Sequence, residues 1–157
     1  MANESAVYQF VASLKQKLEA RLVPPAWPNT TVYTIQPMEK VVTLDDCVIL
    51  VRGRVLAPQA YATNVRNRDQ EIQLPMLVNA SAVNSADPAL AALQRADQLL
   101  GEVVAQLRDD PPDAGDIPII GQRKAVVSNA EFYPYPKDAG GWGVGVYFTV
   151  TTSVRVA

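Results

Sequence analysis

Two pairs of adjacent carboxylates, Asp45-Asp46 and Asp109-Asp110, are the first residues whose type and spacing suit chemistry. Paired acids move protons or hold a divalent cation when they converge in a cleft with further ligands. Asp109-Asp110 closes a predicted helix and runs into Pro111-Pro112. Negative charge at that end opposes the helix dipole, so a solvated loop is expected. Asp45-Asp46 stands at the entrance of a predicted strand, where turn formation accounts for it. The chain has one cysteine, Cys47, and no histidine. Cys47 lies in an apolar run, so it is expected to be buried and inert, with no imidazole to activate it. The run Gly140-Gly141-Trp142-Gly143-Val144-Gly145 is glycine-rich, but a phosphate cradle needs a helix to follow the glycines. Here a strand pattern follows, which predicts a hairpin tip. No catalytic residue, cofactor site or metal site is expected, and the chain is expected not to be an enzyme.

Binding chemistry is better represented. Arg52, Arg54, Arg66 and Arg68 flank or fill a polar stretch, residues 53–70, between two strong strand patterns. Long loops in compact domains are commonly functional or disordered. Arginine is favoured at interfaces because its planar fork pairs carboxylates well. The four arginines are expected to form an arm that grips an acidic surface on a neighbouring subunit. Asp109 and Asp110, followed by Asp113 and Asp116, offer such a surface. A solvated hairpin is the competing reading of the arginine stretch. Trp142, at the hairpin tip, is expected either to fold back or to be offered to a partner.

These residues need elements to position them. Val7, Phe10, Val11, Leu14, Leu18 and Leu22 recur at helical spacing, which predicts a helix over residues 5–22. Pro24, Pro25 and Pro28 stop it. Strands are predicted over 30–36, 46–56 and 71–81. The second is apolar from Cys47 to Val51, as in a strand buried on both faces. The third alternates, with Ile72, Leu74, Met76, Val78 and Ala80 on one face and Glu71, Gln73, Asn79 and Ser81 on the other. Pro75 lacks an N–H, so this strand is expected at an edge or with a bulge. Asp87-Pro88 is a helix-opening pair. Leu93, Ala96, Leu100, Val103, Val104 and Leu107 then form the predicted stripe. Residues 113–121 read as a Pro/Gly-rich connector, and strands over 124–133 and 144–156 close the chain. The expected fold is α+β, with a mostly antiparallel sheet of about five strands, two helices on one face, and order α-β-β-β-α-β-β.

The chain has 157 residues, 48% of them hydrophobic and 19% charged, which suits one domain over residues 1–157 with a real core. No apolar run is long enough for a membrane helix, and charged residues interrupt the first 22 residues as they would not in a secretory signal. A single cysteine fits a reducing compartment. The formal net charge of −2 lacks the basic footprint of a nucleic-acid binder.

In layout the sequence resembles the tail terminator, or tail completion, proteins of long-tailed bacteriophages, the group of the lambda-like minor tail protein U. The resemblance covers most of the chain. It rests on the N-terminal helix with its proline break, a short strand, and the strand near Cys47. It continues through the polar loop, the strand over 71–81 leading into Asp87-Pro88 and the second helix, and the closing strand pair ending in Tyr147-Phe-Thr-Val-Thr-Thr-Ser-Val-Arg-Val156. The similarity is one of layout and not of a single motif. The connector over 111–121 departs from the family pattern, so a related neck, head-completion or tail-tube protein is an alternative. A non-viral α+β ligand-binding or accessory domain is another. The resemblance implies a structural virion protein assembled in the host cytoplasm. Its subunits would close into a ring, usually a hexamer, that caps the tail tube and meets the head-completion or neck proteins. DNA would pass through the lumen without tight binding, and the acidic balance suits such a channel.

Overall fold

Helix α1, Ala6–Arg21, forms where the sequence repeats apolar residues at helical spacing, and it buries Phe10, Val11, Leu14 and Leu18. Its last turn runs on into Leu22, whose N–H donates to the Leu18 carbonyl at 2.8 Å. The prolines then end it. A computed structural model of the chain describes residues 6–35, 46–55, 68–110, 119–122 and 125–156.

After α1 come β1 (Thr31–Ile35), β2 (Cys47–Val51) and β3 (Arg68–Ala82). Helix α2 spans Pro88–Asp109 and is followed by β4 (Ile119–Gln122), β5 (Val126–Pro136) and β6 (Trp142–Val156). One six-stranded sheet runs in the order β1-β2-β3-β6-β4, with β5 also paired to β6. Only β1 and β2 are parallel; the other pairings are antiparallel. The spine is the β3–β6 ladder, continuous from Arg68↔Val156 to Ala82↔Trp142. β4 and β5 lie end to end along the other side of β6.

Both helices pack on one face of this sheet. Ile72, Leu74, Met76 and Val78 of β3 and Val144, Val146, Phe148 and Val150 of β6 point there and are buried. Period-two alternation of large apolar residues on the two central strands thus supplies the core floor. Asp87 caps α2, its carboxylate accepting the Leu90 N–H at 3.2 Å, and Pro88 opens the helix. The fold is α+β, as expected from the order of elements.

Four expectations need correction. First, the buried stripe of α2 is Ala92, Ala96, Leu99, Val103 and Leu107, with Gln106. Leu93 and Val104 are exposed and Leu100 is half-buried. Both rows carry apolar residues about one position apart. The two rows share Ala96, Val103 and Leu107, and packing on the sheet turns Ala92 and Leu99 inward and leaves Leu93 and Val104 outside. Second, β3 is central, not at an edge. Pro75 is tolerated because its polar backbone side faces β2, whose paired register stops at Ile49↔Leu77. There only the Pro75 carbonyl is used, accepting the Arg52 N–H at 2.8 Å. Third, the connector predicted over 113–121 contains the start of β4. Fourth, β5 continues through Pro134 and Pro136, so the hairpin loop is short. It holds a 3-10 turn, Asp138–Gly140, with Gly140 at φ 76. Proline survives in β5 because that strand pairs only with β6 among the described residues, and an edge strand has N–H groups to spare.

Candidate subunit interface

The face of the sheet away from the helices is the unusual surface. An antiparallel sheet with one free face ordinarily presents polar residues there. The strand registers instead bring Tyr33, Ile49, Leu77, Tyr147 and Tyr133 to it. Cys47, Ile49 and Leu77 form a small buried cluster, with Tyr33 and Tyr147 packed against it.

Three side chains make a stack on this face. Arg52 follows β2, and its guanidinium lies 3.8 Å from the centre of the Tyr147 ring. Such a cation over an aromatic face contributes about 0.5–1 kcal/mol where exposed. Tyr133 meets the same ring edge-on, with centroids 5.2 Å apart at 74°. Its hydroxyl donates to Glu131 at 2.6 Å, and that carboxylate pushes the phenol's pKa above its ordinary value. Tyr133 remains 51% exposed. The stack is fixed yet accessible.

Beside it, Tyr135 crosses β6 and donates its hydroxyl to Asn79 Oδ1 at 2.5 Å. The crossing depends on Gly143, because a Cβ there would overlap the Tyr135 ring. Burial raises the Tyr135 pKa, outweighing the opposing hydrogen bond to Asn79. Asn79, expected on a wet face, is fully buried, and its Nδ2 has no partner among the described residues.

A second accessible apolar surface lies on the helix side. Leu90 is 61% exposed, Leu93 41% and Phe132 37%. With Gln94 and Asp97 they line a shallow groove of about 360 Å³ between α2 and β5. Asp97 makes no ion pair among the described residues.

The residues singled out in the sequence are dispersed. Arg52 joins the tyrosine stack. Arg54 is exposed just beyond it. Arg66 lies outside the described residues, with most of the expected arm, while Arg68 is the first residue of β3, opposite Val156. Asp109 ends α2 and pairs with Arg108 at 2.8 Å. Asp110 caps the helix and pairs with Lys17 of α1 at 2.6 Å. That hydrogen bond draws the Asp110 carboxyl below the ordinary carboxylate range and outweighs desolvation. Both carboxylates therefore already have partners within the chain, and they stand on the helix side, opposite Arg52. Trp142 resolves to the folded-back alternative: it is half-buried against the core at the start of β6. Asp46 is structural, accepting the Ser81 N–H at 3.2 Å and the Arg95 guanidinium at 2.8 Å. Arg95 also stacks on Trp27 at 4.1 Å, tying α2 to the turn after α1.

The tyrosines and Asp97 were not among the expected site residues. One signal was present in part: Tyr133 and Tyr135 stand two apart, the spacing that puts residues on one face of a strand, but the predicted strand stops at 133. No group of three potential metal-ligating residues occurs among the described residues. No helix among them is long and apolar enough to cross a membrane. No protein-family model matches the chain, and no curated protein is similar to it.

Proposed function

We propose that this chain is a structural protein of a long-tailed bacteriophage virion, forming a ring that caps the finished tail tube and joins tail to head. The layout carries the reading. A helix, three strands, a second helix and then the closing strands, with both helices on one face of a mostly antiparallel sheet, resemble the tail terminator group. A sheet face that carries no helix among the described residues, and on which Arg52 and Tyr133 stand exposed beside Tyr147, supports the assembly part of the reading, because arginine and tyrosine are favoured at interface centres. In this role the protein works by shape and contact, and its residues act through the neighbours they hold.

The test is genetic and visual. Deleting the gene from the phage that encodes it leaves heads and tails unjoined, with tails of abnormal length or unfinished ends in electron micrographs. Joined, infectious particles in the deletion would refute the reading.

A further inference from the structure

We propose that copies of this chain join head to tail, with the Arg52–Tyr147–Tyr133 stack of one copy seated on the Leu90–Leu93–Phe132 groove of the next and Arg52 meeting Asp97 across the contact. The proposal rests on the ring reading above and says which surfaces make the ring.

Three observations carry it. The first is composition. Tyrosine and arginine are the side chains most often found at the energetic centres of interfaces. Here Arg52 and Tyr133 are held in place by Tyr147, at 3.8 Å and 5.2 Å. Side chains already ordered in the free protein lose less entropy on binding. The second is charge. Among the described residues Arg52 has no carboxylate partner and Asp97 has no cationic one, whereas Asp109 and Asp110 are paired within the chain. Asp97 is thus the available carboxylate set in an apolar groove, and a guanidinium framed by aromatic rings is its complement. The groove's 360 Å³ has room for a tyrosine ring and part of its neighbour.

The third is placement. Tyr133 and Phe132 are consecutive residues of β5 and point to opposite faces of the sheet. The stack and the groove are unlike surfaces on opposite sides of one subunit. A two-fold dimer pairs a surface with itself; two unlike surfaces facing apart give every copy two neighbours, and the chain of contacts closes into a ring if the rotation allows. The prolines in β5 blunt that edge against strand addition.

The test uses the full chain in sedimentation experiments, with circular dichroism as the check on folding. Tyr133→Asp disables the stack and Leu93→Asp the groove. Each variant alone is expected to weaken self-association at least tenfold. An equal mixture of the two is expected to give dimers and nothing larger, because only one pair of intact surfaces remains. Arg52→Glu and Asp97→Lys each weaken association, and the two together in one chain recover part of the loss. Undiminished assembly of Tyr133→Asp or Leu93→Asp, or a mixture that yields no dimers, would overturn these surfaces as the interface while leaving the ring itself intact. A wild-type chain that stays monomeric at about 1 mM would also overturn the direct contact. The deletion phenotype judges the ring reading separately.

Discussion

At the residue scale, the sharpest contrast is between two leucines on α2: Leu93, which the sequence pattern places in the buried stripe, and Leu99, which it leaves out. Leu99 is fully buried and Leu93 lies open in the groove. Leu99→Ala is expected to cost about 2–5 kcal/mol, and Leu93→Ala to stay within about 0.5 kcal/mol. Urea denaturation of the two variants checks this, and similar losses would contradict the packing described. Tyr135→Phe removes the only hydrogen-bond partner of the buried Asn79 amide among the described residues. The expected cost is about 1–3 kcal/mol, the desolvation left uncompensated. The same tyrosine sets a pH dependence. Its folded pKa is raised by burial, so its stabilising contribution is complete below the ordinary tyrosine pKa of about 10. That contribution is lost as pH rises through the folded value. An ultraviolet titration is expected to show late-ionising tyrosine, reduced in Tyr135→Phe. At the acid end, Asp110 has the opposite sign. Its depressed pKa gives a contribution present above about pH 4 and lost as pH falls through the folded value. Lys17→Met should flatten that part of the acid-unfolding profile.

At the element scale, much was legible because local rules and tertiary packing agree. The proline stop after α1, the Asp87-Pro88 opening of α2 and the unbroken alternation of β6 each specify one element without help from the rest of the chain. Where neighbours decide, legibility ends. Two overlapping apolar rows on α2 share Ala96, Val103 and Leu107, and only the contact with the sheet decides between Leu93 and Leu99. Pro75 excludes a donor on one side of its strand, but which side needs a donor depends on where β2 stops. β4 is short and carries a glycine, and its pairing with the end of β6 supplies what its own residues do not. Gly143 shows the same dependence. It reads as part of a loose glycine-rich tip, yet it is the space through which Tyr135 reaches Asn79. Gly143→Ala is expected to destabilise by about 1–3 kcal/mol through overpacking. Most of that penalty should vanish in a background of Tyr135→Ala; an undiminished penalty there would contradict the assigned role.

At the scale of the whole molecule, the candidate interface was legible in part. The sequence marks Arg52 through its charge and the arginines around it. It does not show that Tyr147 and Tyr133, far along the chain, stand beside Arg52, because strand order is a long-range outcome. Asp97 looks like any helix-surface carboxylate until Phe132 is seen to share its groove. The low net charge of −2 bears on how DNA would meet such a ring. Affinity for duplex DNA at physiological salt is expected to be weaker than about 1 μM, the tight end of ordinary non-specific binding. Fluorescence anisotropy checks it.

The central claim concerns place and assembly, so imaging the particle tests it most directly. An electron cryomicroscopy reconstruction of the head-proximal end of purified tails is expected to contain a closed ring of this fold, six copies by the family resemblance, seated on the last layer of the tube. A tail end closed by a different chain, with this one absent from the particle, would contradict the account.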